Sequence, residues 1–222
     1  EGTVDYPPYD ELEPRFAATI LYNGAEWKGV KLECCVDGTY GTYVDYGVEP
    51  YPYGKTVTGY YMRKFRQEEN NDLTNVASTS AWVELRLGEV LLNLAEAEHR
   101  LGNDGAAMGY IKQIRDRVGL PTDLSLTGED VFKALVHERK IELAYEGHLW
   151  WDMRRWGLSE EAYNGYRVHG MKITKEGAGY RYLYVDADGT DRKYLSRMNR
   201  LPIPDEELRN NNEITKFPEW NF

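Results

Sequence analysis

The sequence predicts a mainly α chain in which a tetratricopeptide-like helical hairpin and further helices carry irregular loops and short β-hairpins. Three observations lead there. From about residue 81, apolar residues recur at helical spacing. Before that point glycine, proline, tyrosine and asparagine recur every few positions and apolar runs are short. Asn-Gly and Asp-Gly pairs mark turns beside the short runs. The chain therefore divides into an irregular, loop-rich segment with short strands, 1–80, and a helical region, 81–222, that includes a β-hairpin near 180–197.

Phe16 to Tyr22 reads as a buried strand or extended piece ending at the Asn23-Gly24 turn, and Trp27 to Val36 alternates loosely as a returning strand. Gly38 to Gly59 is rich in Gly, Pro and Tyr, and so long a loop in a compact domain is usually functional or disordered. Its aromatic density argues against disorder. Leu87, Val90, Leu91, Leu94, Ala95 and Leu101 then mark a helix that Gly102-Asn103-Asp104-Gly105 breaks. Ala107, Ile111, Ile114 and Val118 mark a second, closed by Gly119 with Pro121 just beyond. Together they form one helical hairpin. A lone repeat cannot bury its apolar face, so its stacking partners should lie upstream or in another chain. Thr127 to Asp130 signals a further helix running through Val131, Leu135, Ile141, Leu143 and Tyr145 to Gly147. Tyr180–Val185 and Asp191–Arg197 read as strands about an Asp186-Ala-Asp-Gly189 turn, and Asp205 to Leu208 starts a short helix.

The net charge of −10 argues against a nucleic-acid partner, because phosphate neutralisation needs clustered Lys and Arg. No run of about 18 apolar residues occurs, so no membrane span is expected, and no signal peptide is visible. Cys34 and Cys35 are neighbours. A disulfide between them is strained and two thiols are too few for a structural zinc, so both read as ordinary strand residues. With 18 Tyr and 6 Trp against 5 Phe, the aromatic share favours rings with a polar tip. Such rings suit half-wet ligand surfaces or a tyrosine-rich core.

Three stretches carry a resemblance. They are Leu85 to Ala97 with Ile114-Arg-Asp-Arg-Val-Gly-Leu-Pro121, then Glu138 to Trp156 (ERKIELAYEGHLWWDMRRW), then Leu201-Pro-Ile-Pro204 with the Asn run and Pro-x-Trp after it. In this order they resemble the C-terminal half of the RagB/SusD family, and Pro14-Arg-Phe16 fits the start of that half. The resemblance implies a SusD-like fold and a non-enzymatic lipoprotein on the outer-membrane surface of a bacterial cell. It further implies oligosaccharide or polysaccharide binding and delivery to a SusC-like TonB-dependent transporter. Peptide binding of the RagB kind is one alternative, and a transporter lid without ligand contacts is another. An N-terminal half with the lipidated cysteine and the first repeats would be the remaining partner, and no cofactor is implied.

His137-Glu138 starts like a zinc-protease helix, but the second histidine is replaced by Ile141, so no metal site is expected. Asp186 to Asp191 departs from a calcium loop, with Asp191 where glycine is needed and Arg197 where glutamate closes the loop. Glu138, Glu142 and Glu146 line one helix face, and Arg154 and Arg155 are the nearest candidates to neutralise them in a structural network. No carboxylate pair is singled out for glycosidase chemistry, so no catalytic residue is assigned. Recognition falls to Trp27, Tyr40, Tyr43, Tyr46, Tyr51 and Tyr53, in the irregular region where scaffolds display binding residues. Either these rings stack on sugar faces or they pack the loop onto the helices.

Overall fold

A proline decides the first element. Pro14 occupies the opening turn of α1 (Pro14–Thr19), where its missing N–H costs nothing, so Phe16 to Thr19 are helical rather than extended. The strand expected there shrinks to β2 (Ile20–Leu21), which pairs with β5 (Tyr61–Met62). The computed structural model describes residues 2–4, 9–38, 56–68 and 79–221. They fall into two compact units that interleave in sequence, Glu1–Leu149 with Val168–Asp188, and Trp150–Arg167 with Gly189–Phe222.

In the first unit Asn23-Gly24 turns the chain as expected, with Gly24 at φ +88°. The strand predicted from Trp27 to Val36 is instead a tight hairpin, β3 (Glu26–Trp27) and β4 (Val30–Lys31). Lys28 and Gly29 between them both take positive φ, the conformation that matches strand twist. Leu21, Ala25, Leu32 and Cys34 close over this corner.

The predicted helical hairpin is present as α2 (Leu87–Arg100) and α3 (Asp104–Arg117). Both ends are Schellman caps. Asn103 N–H donates to the Glu98 carbonyl and Gly102 N–H to His99, while Leu120 N–H donates to Arg115 and Gly119 N–H to Asp116. Helix α4 (Glu129–Glu142) packs against both, around Leu92, Ala95, Met108, Ile111, Val131 and Leu135. It stops at Glu142 rather than Gly147. Tyr145 and Gly147 take positive φ, and the last carbonyls are claimed by cations: Lys64 Nζ donates to the Glu142 and Ala144 oxygens, and Arg86 Nη2 to Glu142. Helix α5 (His148–Arg155) follows.

The apolar stripe read from the sequence on α2 is mostly the outward one. Leu87 and Leu101 are 70% and 75% exposed, and Val90 and Leu94 are also exposed, while Leu92 and Ala95 face the core. Trp82, Val83 and Leu85, just before the helix, extend the exposed apolar surface.

The C-terminal hairpin lies one strand earlier than predicted. Strands β6 (His169–Glu176) and β7 (Gly179–Asp186) pair antiparallel, and β1 (Gly2–Val4) pairs with the far edge of β7. Gly177 at φ +60° opens the two-residue turn, whereas the Asp186–Gly189 stretch carries the chain out of the sheet. The free edge of β6 is closed by loops, with Val36 N–H donating to Ile173 and Met171 N–H to Thr58. A Cβ on Gly170 would sit 2.6 Å from the Thr58 Cα, so glycine is required for that approach. Met171, Ile173 and Tyr182 pack with Tyr9 and Cys35. In the second unit α6 (Ser159–Tyr163) and α7 (Asp205–Asn210) are short, and α7 matches the helix expected after Pro204.

Candidate ligand-binding residues and the charged framework

The only candidate recognition residue among the described ones is Trp27, since Tyr40, Tyr43, Tyr46, Tyr51 and Tyr53 lie outside them. Trp27 sits on β3 and packs one side onto the Leu21–Ala25–Leu32–Cys34 cluster. Two cations flank its ring, Lys28 Nζ at 5.8 Å and Arg63 Cζ at 5.9 Å from the centroid. Arg63 is itself held by a fork to Glu68, at 2.6 and 2.8 Å, and by the Ala17 carbonyl. Hydrogen bonding to Arg63 lowers the Glu68 pKa. A half-buried indole beside a paired guanidinium has the chemistry to take a flat apolar face on the open part of its ring.

The three glutamates on α4 and the turn after it are fully engaged, but not by the expected arginines. Arg15 Nη1 donates to Glu138 at 2.6 Å and to Glu142 at 2.9 Å, and its Nε and Nη2 grip Glu13. Arg86 bridges Glu142 at 2.6 Å and Glu146 at 2.7 Å. Arg117 adds a third cation on Glu142, Arg115 a second on Glu138, and Lys64 a second on Glu146. Those partners come from α1, α3, the residue before α2 and the stretch after β5, because each places a long side chain over the α4 face or the turn that follows it. Sequence spacing alone favours neighbours, which is why Arg154 and Arg155 were expected.

Burial works against ionising Glu142 and Glu146, yet hydrogen bonds outweigh it and lower both pKa values: from Arg86 and Arg15 at Glu142, and from Arg86 and Lys64 at Glu146. Because these pKa values are lower folded than unfolded, their contribution is present above about pH 4.3, the unfolded glutamate value, and fades as pH falls through the folded ones. The melting temperature of the protein is therefore expected to hold at neutral pH and to drop steeply below about pH 4. A flat profile from pH 7 to 3 would show that the network carries no stability. With every acceptor oxygen committed to a cation, this face is a cross-linked frame and is ill suited to donating a proton.

Cys34 and Cys35 are both buried and free, and burial, with its neighbour's help, pushes the Cys34 thiol up to about 12. No group of three metal-ligating side chains occurs among the described residues. No helix among them is long and apolar enough to cross a membrane.

Two concavities escaped the sequence reading because each is built from separate stretches. A cavity of about 510 Å³ lies among Met108, Ile111, Arg115, Pro121, Leu126 and Glu138. A groove of about 310 Å³ runs between Pro202–Asp205 and Lys216, Phe217 and Trp220. In the same unit as that groove, Trp150, Tyr163 and Tyr194 form an aromatic triangle with centroids 5.7 to 6.0 Å apart.

Comparison with known proteins adds the family. The SusD family model matches residues 1–220. SusD-like protein P2 of Formosa agariphila is 32% identical over 151 residues, covering 64% of this chain and 26% of that protein. SusD-like protein P25 of the same organism is 28% identical, covering 69% of this chain and 31% of that protein. A crystal structure of a SusD-like protein from Bacteroides fragilis superposes with a TM-score of 0.77 at 26% identity, over 94% of this chain and 39% of that one. A SusD superfamily protein from Bacteroides vulgatus gives 0.55 at 26% identity, over 96% and 42%. The chain thus spans well under half the length of these relatives.

Proposed function

This chain belongs to the SusD family, and from that premise we propose that it captures glycans at the outer-membrane surface and delivers them to a SusC-like TonB-dependent transporter. The family match over nearly the whole chain carries the reading, since SusD-like proteins are generally surface glycan-binding proteins that work with SusC. The chemistry agrees with binding rather than turnover. The best-buried carboxylates are locked in ion pairs, and the half-buried Trp27 ring offers a plane for a sugar C–H face with Lys28 and Arg63 nearby for hydroxyls. Lipid anchoring belongs to the remainder of the protein on this reading.

The exposed apolar face of α2, from Leu87 to Leu101, supports a further part of the proposal: that remainder covers it. A lid that contacts only helices is the second reading that this face favours.

Isothermal titration of the intact protein against a broad oligosaccharide panel tests capture. A bound glycan is expected to lose affinity by roughly 10- to 100-fold when Trp27, Tyr43 and Tyr51 are changed together to Ala, the usual scale for removing aromatic anchors. Unaltered affinity in that variant would remove these rings from the site. Binding of peptides and no oligosaccharide would replace glycan by peptide capture.

A further inference from the structure

In a chain with 37 acidic and 27 basic residues, a cation has carboxylates in surplus. Among the described residues, Arg154 nevertheless goes without. It is only 8% exposed, and its Nη1 is buried with no hydrogen-bond partner among the described residues. The glutamates it was expected to neutralise are taken by Arg15, Arg86, Arg115, Arg117 and Lys64, and the adjacent Asp152 accepts from Arg155. A guanidinium withdrawn from water with an unmet N–H is costly unless something compensates.

Partial compensation comes from two indoles. Arg154 lies one helical turn after Trp150 and Trp151, so its side chain folds back over both rings, with Cζ 5.3 and 5.4 Å from their centroids. Cation–π attraction offsets some of the lost hydration but leaves the Nη1 hydrogen unused. Meanwhile Trp150 and Trp151 are 44% and 58% exposed. The Trp150–Tyr163–Tyr194 packing steadies the first indole, which leaves Trp151 as the more open plane.

We propose that Trp151, Trp150 and Arg154 form a subsite for an acidic sugar, its ring stacked on the exposed indole and its oxyanion received by Arg154. A sugar acid unites both requirements in one unit, an apolar C–H face for the ring and a charged acceptor for the guanidinium fork. An aspartate or glutamate side chain would satisfy the cation but leave the indole surface largely uncovered. A neutral sugar would cover the indole and leave the cation unmet. Rotation of the half-exposed Trp151 side chain admits the anion. The proposal rests on the glycan-capture reading and names a chemical class for it, a saccharide bearing a carboxylate or a sulfate ester.

The test uses the intact protein and four probes in isothermal titration: an oligogalacturonide, a sulfated galactan oligosaccharide, a neutral galactan oligosaccharide of matched length, and inorganic sulfate. At least one acidic oligosaccharide is expected to bind about 10-fold or more tighter than the neutral one, a preference that shrinks with added salt. Arg154→Gln is expected to abolish that preference while sparing neutral binding, and Arg154→Lys to keep part of it. Trp151→Ala, at an exposed position, is expected to weaken the acidic probe in a protein of unchanged melting temperature, which secures a readout if Arg154→Gln fails to fold. Equal binding of acidic and neutral probes, or a preference that survives Arg154→Gln, overturns the subsite and leaves glycan capture standing. No binding of any oligosaccharide overturns both. Inorganic sulfate binding as tightly as the sulfated oligosaccharide overturns the saccharide assignment. A large fall in melting temperature in Arg154→Gln without any acidic preference shows that the rest of the protein pairs Arg154, and overturns it too.

Discussion

Changing Glu142 to Ala is expected to destabilise the protein by about 3–5 kcal/mol, the range for removing one partner of a buried ion pair. Glu142 is buried and receives three guanidinium groups, from Arg15, Arg86 and Arg117. Of these Arg15 is itself buried, with burial pulling its pKa down and hydrogen bonds to Glu13, Glu138 and Glu142 raising it on balance. Removing Glu142 therefore leaves the buried Arg15, and the partly buried Arg86, with less of the negative charge that offsets their lost hydration. Arg117, 60% exposed at its side chain, provides the internal control: Arg117→Ala should cost under about 1 kcal/mol, because water replaces a surface partner cheaply. Urea unfolding of both variants in the intact protein decides it. A loss below about 1 kcal/mol for Glu142→Ala would mean that water reaches the network and screens it.

Changing Leu135 to Ala is expected to cost about 2–5 kcal/mol through lost transfer energy and the cavity left behind. Leu135 is completely buried among Leu92, Ile111 and Val131, where α4 packs on the helical hairpin. Leu87→Ala makes the matching comparison. Leu87 is exposed here, so an unfolding cost within about 0.5 kcal/mol is the expectation for plain surface. If the remainder of the protein covers α2, as proposed, Leu87→Ala should instead approach core values. Denaturant midpoints of the two variants of the intact protein separate the cases.

The fold class was legible because its strongest signals are local. Gly102 and Gly119 stop helices by adopting positive φ, and the sequence displays both with their helical spacing intact. What spacing could not say was which stripe of α2 turns inward. Its apolar residues populate two sides, and only the positions of α3 and α4 choose Leu92 and Ala95 over Leu87 and Leu94. The β-hairpin was displaced for a similar reason. Asp-Gly at 188–189 is the louder turn signal, yet the alternation of Met171 and Ile173 against Tyr182 fixes register through burial that no local motif encodes. The cations on Glu138, Glu142 and Glu146 come from residues as far away as Arg15, 127 positions before Glu142. Nearest-neighbour reasoning therefore named Arg154 and Arg155 instead. Of the proposed recognition rings, Trp27 alone lies among the described residues; Lys28 beside it is its sequence neighbour, whereas Arg63 comes alongside through a strand pairing that no local motif encodes.

The pairing of β1 with β7 sets a clock on biosynthesis. Gly2 lies opposite Tyr184, so β1 has no strand to join until the residues between it and β7 have been translated. At typical elongation rates the wait is roughly 10–40 s. Through that interval β1 is an unsatisfied edge, while α2, α3 and α4, whose contacts are closer in sequence, are already free to collapse. Order of assembly is thus written into connectivity: helices first, and the sheet closed last by its oldest strand.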